Sequence, residues 1–267
     1  MKLKAEQIRW RQFTRHGDAV FRSLGREIRI GVLSVATLTF ATPQSATAAT
    51  ALDTQYRCDT GETATEDDSG DSIDLALLQH GDLLFLVASQ QRSDVAAAIA
   101  DVTEGIDLLP VTHVAIVCKQ GDATFALEAS GHNGVWLTPI DSFFYHAPHS
   151  RDGRPLVVAG RLKDTSNVDV SVSKALTYVG RPYDDLYSPT DSAIYCSELV
   201  QLAYHDSEGT PVFPLQPMSF HDASGKVTDF WREYYRRRGL EVPEGHPGTN
   251  PGALSRSERI EIIHRFY

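Results

Sequence analysis

Residues 111–130 read VTHVAIVCKQGDATFALEAS, and the way this stretch pairs with itself decides the fold. Two β-type runs, VTHVAIVCK (111–119) and ATFALEAS (123–130), flank a Gln-Gly-Asp turn, which is the pattern of a tight hairpin. Side chains alternate along a strand, so His113, Ala115 and Val117 share one face, while Val114, Ile116 and Cys118 share the other. Cys118 then points into the core, away from His113. A two-residue turn at Gln120–Gly121 sets His113 directly opposite Glu128. A turn at Gly121–Asp122 makes the two diagonal neighbours on one face, still within reach. A three-residue loop with a bulge puts them on opposite faces and breaks the pairing. Beside an imidazole in an apolar strand, a carboxylate can fix the tautomer and stabilise the imidazolium. A buried, purely structural His–Glu pair has the same sequence appearance.

Outward from the hairpin, HGDLLFLVAS (80–89) is a short apolar run opened by a Gly-Asp turn signal, so a buried strand is expected there. RSDVAAAIADVTEG (92–105) reads as a short helix with Ser93 or Asp94 as its N-cap. GVWLTPIDSFF (134–144) and PLVVAGRL (155–162) read as further strands, and VSVSKALTYVG (170–180) returns to helical spacing. A loop, RPYDDLYSPTD (181–191), leads to a helix in DSAIYCSELVQLAY (191–204). DFWREYYRRR (229–238) is expected to be the last helix, and a Pro/Gly-rich tail follows to SERIEIIHRFY. Strands clustered in one block and helices in others argue for an α+β domain.

Cys196 stands at the start of the 191–204 helix. Thr190, Asp191 and Ser192 precede it as candidate N-caps, and Ile194, Leu199, Leu202 and Ala203 approximate a helical apolar stripe. In a first helical turn the unpaired N–H groups and the helix dipole favour negative charge, which is how a helix start turns a thiol into a nucleophile. The alternative is a small apolar filler, since free cysteines are among the most buried residues. A nucleophilic cysteine needs a base held by a third polar group, and His113 with Glu128 supplies both.

The chain has 267 residues, 42% hydrophobic and 22% charged, a globular composition. Its net charge of −10 hides an asymmetry: residues 1–49 stand at +5 and the remainder at −15. An acidic body repels phosphate backbones and excludes a nucleic-acid role. The basic start runs into IGVLSVATLTFA (30–41) and small residues through Ala46-Thr47-Ala48. That is the layout of a secretory signal peptide over residues 1–49, and its apolar run is shorter than the ~20 residues a spanning helix needs. Residues 50–74 are acidic and poor in apolar side chains, hence a flexible linker, and the domain is expected over 75–267. The protein is therefore read as exported, to a periplasm or cell surface, with no stable membrane span after cleavage. Cys58 follows bulky Tyr56 and Arg57, unlike a lipid-modified cysteine. Three cysteines leave at least one unpaired within the chain.

HGDLLF, THVAIV, ALEASGHNGVWLTPI, YVGRPYDDLY and YCSELV, in that order, resemble the permuted NlpC-type papain-like cysteine peptidases and amidases, the YiiX-like branch. The resemblance spans about residues 75–205, with PYD followed by YCSEL its most specific pieces. The histidine strand precedes the cysteine helix, which is the permuted order. The resemblance implies a circularly permuted papain-like fold, a small antiparallel sheet or half-barrel packed against helices. It implies Cys196 as nucleophile, His113 as base and Glu128 as the group that orients it. Tyr183 of PYD would lie near the sulfur, to bind substrate or steady an oxyanion, unless it is an ordinary packed loop tyrosine. Glu198 reads as a helix-capping carboxylate.

The implied activity is hydrolysis of an amide in a cell-wall peptide or N-acyl amino compound, with peptidoglycan fragments among the candidate partners. An acyltransferase of the same fold, or a non-catalytic ligand- or lipid-binding member, would carry the same residues. No cofactor and no metal is expected. His132, His146 and His149 lie in loops without H-E-x-x-H or paired C-x-x-C spacing, no G-x-S-x-G marks a serine nucleophile, and no glycine-rich phosphate loop is present.

Overall fold

A computed structural model describes residues 73–89, 94–188 and 192–267. The expected signal peptide, Cys58, the helix cap Ser93, and Thr190 and Asp191 fall outside the described residues, as does all of the expected linker except its last two residues.

Six strands form one antiparallel sheet in the spatial order β4-β3-β2-β1-β5-β8. In chain order the elements of the sheet region are β1 (Leu83–Val87), α1 (Asp94–Val102), β2 (Val111–Gln120), β3 (Ala123–Ser130), β4 (Gly134–Pro139), α2 (Ile140–His146) and β5 (Val157–Leu162). They continue with α3 (Val168–Leu176), α4 (Cys196–Ala203), a short β6 (Gln216–Pro217), α5 (Asp229–Arg236), a short β7 (Pro247–Gly248), α6 (Pro251–Ser255) and β8 (Ile260–Arg265). The sheet is open, so the architecture is the expected α+β with a sheet packed on helices.

The hairpin adopts one of the two registers that keep His113 and Glu128 on a common face. Gln120 pairs with Ala123 and Ile116 with Leu127, so the loop is Gly121–Asp122, with Gly121 at φ +57°. The two cores follow the alternation. Val114, Ile116 and Cys118 face a core closed by Val172, Leu199 and Val200 of α3 and α4. Ala115 and Val117 face a second core closed by Ile140, Phe143 and Phe144 of α2. Cys118 is fully buried in the first core, and burial pushes its thiol pKa up, against a weaker lowering contact from Gln120.

Three expectations need correction. GVWLTPIDSFF is not one strand: β4 ends at Pro139, and Ile140–His146 is helical, because Ile140, Phe143 and Phe144 have the 3–4 spacing of a buried helix face. The Pro/Gly-rich tail is not structureless, and α5 is not the last helix. Asn250 caps α6 by accepting from the Ala253 N–H at 2.7 Å, and β8 pairs with β5 at the sheet edge. Tyr195, not Ser192, occupies the N-cap position of the cysteine helix.

The Gly-Asp signal before β1 is structural. Asp82 is buried and takes a two-pronged ion pair from Arg161, at 2.7 and 2.8 Å. Gly81, at φ +82°, leaves no room for a side chain: a Cβ would lie 2.1 Å from Val168.

Candidate active site

The cysteine helix begins at Cys196 itself. Glu198 reaches back to accept the Tyr195 N–H at 3.3 Å, the return half of a capping box, which gives this carboxylate the capping role expected of it. The helix therefore starts abruptly, with Cys196 as its first residue and only 5% exposed. Its own N–H and that of Ser197 belong to the first turn, where no intrahelical acceptor exists.

His113 and Glu128 meet as diagonal neighbours. His113 Nε2 lies 2.6 Å from Glu128 Oε2, and Thr138 Oγ1 on β4 donates to Glu128 Oε1 at 2.6 Å. Both carboxylate oxygens are thus engaged and the carboxylate plane is fixed. The ring of His113 is also hydrogen-bonded to Cys196. With Nε2 committed to Glu128, the nitrogen turned to sulfur is Nδ1. Burial works against a charged ring here, but the hydrogen bonds to Cys196 and Glu128, and the charges they carry, outweigh it and push the His113 pKa up to about 10. For Glu128, burial would raise the carboxyl pKa, yet the contact with His113 and the Thr138 hydrogen bond hold it below the usual range.

Cys196 packs with the core under one face of the sheet, whereas alternation assigns His113 to the other. Two features of β2 let them meet. The β2–β3 ladder runs only from Ile116/Leu127 to Gln120/Ala123, so residues 111–115 pair with β1 alone and β3 continues with β4. The strands part at the height of His113. The β1–β2 register also shifts between Leu86/His113 and Val87/Val111, leaving Thr112 as the extra residue of a bulge. Val111 consequently joins the same core as Val114. Bulges sharpen the local twist and re-aim neighbouring side chains, and this one adjoins His113.

Tyr183 is brought beside the pair by the loop expected to carry it. Val135 N–H donates to Arg181 O at 2.8 Å and Gly180 N–H to Val135 O at 2.9 Å, which ties the loop to β4. Gly134, at φ +67°, permits that approach: a Cβ there would stand 2.1 Å from Arg181 O. Ile194 N–H donates to Pro182 O at 2.9 Å, which holds PYD against the residues entering the cysteine helix. Asp184 is buried and wraps the next turn by accepting from Leu186 N at 2.9 Å and Ser188 N at 2.6 Å. Burial, and then the nearby Cys196 sulfur, push the hydroxyl pKa values of Tyr183 and Tyr187 up, so both remain O–H donors. Tyr187 sits at φ +50°, a conformation that costs a non-glycine residue free energy and recurs at functional sites.

Four expected site residues, Cys196, His113, Glu128 and Tyr183, therefore converge. Sequence reading missed Thr138 and Tyr187. Thr138 carries a legible signal, because β4 pairs Glu128 with Trp136 and places Thr138 two residues along the same face. Tyr187 carries none, since its placement depends on loop conformation. His132, His146 and His149 form no metal cluster, and among the described residues no group of three or more His, Cys, Asp and Glu side chains could hold a metal ion.

Residues 77–264 match the family model described as permuted papain-like amidase enzyme, YaeF/YiiX, C92 family. The uncharacterized protein YiiX of Escherichia coli strain K12 is 26% identical over 188 residues, covering 69% of this chain and 85% of that protein. A crystal structure from Escherichia coli O157:H7, described as metalloprotein yiiX, aligns with a TM-score of 0.57 at 23% identity. It covers 70% of this chain and 97% of that one, a likeness of fold.

Proposed function

Because this chain belongs to the permuted papain-like amidase family, we propose that it hydrolyses amide bonds through Cys196, His113 and Glu128. The observation that carries the reading is the ring of His113, hydrogen-bonded to the Cys196 thiol through one nitrogen and to Glu128 through the other. A nucleophile, a base and an orienting group in that order are the working parts of a thiol hydrolase.

In the proposed cycle the Cys196 thiolate attacks the amide carbon while His113 carries the proton. The carbonyl electron pair moves to oxygen, and the oxyanion is met by the N–H of Cys196 at the helix start, with the Tyr183 hydroxyl as a second donor. As the C–N bond breaks, His113 hands its proton to the departing amine, leaving an acyl thioester on sulfur. Water then attacks the thioester, His113 takes its proton, and cleavage of the C–S bond returns the thiolate and releases a carboxylic acid. Glu128 keeps the ring's Nε2–H in place and stabilises the imidazolium at both ends of the cycle. No step calls for a metal, in keeping with the donor set described above.

The substrates proposed are cell-wall peptides or N-acyl amino compounds outside the cytosol, a setting supported by the basic, apolar leader pattern of residues 1–49. The test is to incubate the protein with muropeptides and N-acyl amino acids, read products by mass spectrometry, and follow iodoacetamide alkylation of Cys196. Cleavage that disappears in Cys196→Ala, with alkylation faster than that of a free thiol at pH 7, is expected. Cleavage that survives Cys196→Ala would overturn the assignment.

A further inference from the structure

Two hollows open on opposite sides of the Cys196–His113 contact, and Tyr183 is in the wall of both. The first, of about 530 Å³, has Cys196 in its wall, together with Tyr187, Tyr195, Met218, Phe220 and Trp231. The polar atoms of these rings are already directed to protein partners. Trp231 Nε1–H donates to Ala98 O at 3.3 Å, Tyr195 Oη accepts from the Thr249 N–H at 3.1 Å, and Tyr183 and Tyr187 are hydrogen-bonded to each other. What these residues present to the hollow is carbon and sulfur. The second hollow, of about 760 Å³, has His113 and Glu128 in its wall, with Ser130, Asn133, Ser142 and His146 adding hydroxyl, amide and imidazole groups.

The chemistry assigns a side to each hollow. The acyl carbon becomes bonded to Cys196 Sγ, so the acyl group extends on the sulfur side. His113 must deliver its proton to the leaving nitrogen, so the amine departs on the imidazole side. Resting on the proposed thiol mechanism, we infer that the substrate joins an apolar acyl chain to a small polar amine such as an amino acid, the chain lying in the aromatic hollow and the amine in the polar one. A peptidyl acyl group would bring buried amides to a wall whose donors are spent, and unpaired polar groups are costly there. Between the two substrate classes proposed above, this favours N-acyl amino compounds over cell-wall peptides. The C-terminal segment takes part directly, because Thr249, Asn250 and Pro251 complete the wall beside Cys196.

The experiment is a chain-length series on the full-length protein. N-acetyl-, N-hexanoyl- and N-decanoylglycine are compared for kcat/KM below their micelle concentrations, alongside muropeptides. Acylation of Cys196 by p-nitrophenyl acetate and p-nitrophenyl hexanoate is followed by intact mass. Burial of each added methylene is expected to raise the rate about three- to fourfold. Acetyl to hexanoyl then gains on the order of 100-fold in both assays, because the aryl esters share the acyl side and not the amine. A flat or falling dependence on chain length, or muropeptides turned over faster than any acylglycine, overturns the inference and leaves the thiol mechanism standing. Cleavage of none of these compounds, with no acyl adduct on Cys196 from either ester, overturns the mechanism and the inference together.

Discussion

Replacing Glu128 by Gln is the sharpest probe of the triad, because it removes a charge and keeps the shape. In the wild type, Glu128 Oε2 lies 2.6 Å from His113 Nε2, and Oε1 is held by Thr138 at 2.6 Å. Two unit charges about 4 Å apart interact by about 4 kcal/mol at an effective dielectric constant near 20. Desolvation offsets part of that, and a hydrogen bond to a charged group is worth about 1.5–3 kcal/mol net, against about 1 kcal/mol for a neutral one. Gln keeps the neutral contact through its amide oxygen, so the loss is about 1–2 kcal/mol. That corresponds to roughly a 5- to 30-fold fall in kcat/KM and a drop of about one unit in the His113 pKa. The assay is the pH dependence of iodoacetamide alkylation of Cys196 with kcat/KM on one substrate, and NMR titration of the His113 ring. Thr138→Val is the companion, since it frees Oε1 and leaves the charge; its expected effect is smaller. An unchanged His113 titration and unchanged kcat/KM in Glu128→Gln would refute the electrostatic role given to this carboxylate.

Two further outcomes are expected. His113 holds its proton to about 10 in the fold against about 6.5 in the unfolded chain. Its contribution to stability is therefore full below about pH 6.5 and is lost as pH rises toward 10. Glu128, held below its ordinary 4.5, contributes above that pH and loses its contribution as acid is added. Urea midpoints should fall between pH 6.5 and 9.5 more steeply in the wild type than in His113→Gln, and equal slopes would contradict the raised histidine. Gly134→Ala should cost at least ~1–2 kcal/mol from its backbone conformation alone, and it should also lower kcat/KM, because the new Cβ meets Arg181 O at 2.1 Å and displaces the segment carrying Tyr183. Gly121→Ala, at φ +57° with nothing within 4 Å, is the matched control, with a similar backbone cost and no change in kcat/KM.

How much of this was legible depended on whether the information was local. The His113–Glu128 pairing needed only strand alternation and a two-residue turn, and both registers that the turn allows keep the two residues on one face. Cys118 could be assigned to the core by parity alone. The strand reading of GVWLTPIDSFF failed because Pro139 was not taken as a boundary, although Ile140, Phe143 and Phe144 already had helical spacing. The C-terminal strand was missed for a different reason. Ile260–Arg265 is an edge strand at the end of a Pro/Gly-rich run, and its order comes from pairing with β5, roughly a hundred residues earlier. The helix cap was misassigned because side-chain polarity suggested Ser192, whereas the N-cap N–H is satisfied by Glu198 from inside the helix. The aromatic hollow was illegible in principle, since its wall is drawn from segments near residues 99–103, 183–197, 218–231 and 249–251.

The permuted order of histidine and cysteine follows from where the site is built. A sulfur under one face of a sheet and an imidazole on the other cannot meet through a continuous ladder, because the hydrogen-bonded strands stand only about 5 Å apart. They can meet where the ladder stops. Here β2 leaves β3 at Ile116 and a bulge at Thr112 re-aims the strand, so the opening is written into the hairpin that carries both His113 and Glu128. All that is then asked of the rest of the chain is a helix whose first residue arrives at that opening from the far side. The PYD loop, tied to β4 through Val135 and to Ile194 through Pro182, delivers that residue. Neither tie depends on whether the helix precedes or follows the sheet in sequence. Closing the opening by restoring the β2–β3 ladder beyond Ile116, as deletion of the extra residue Thr112 would tend to do, should separate sulfur from imidazole and abolish rapid alkylation of Cys196 while leaving both side chains in place. Rapid alkylation in that deletion variant, once shown folded by its circular dichroism, would mean that the parted strands are not what brings the two groups together.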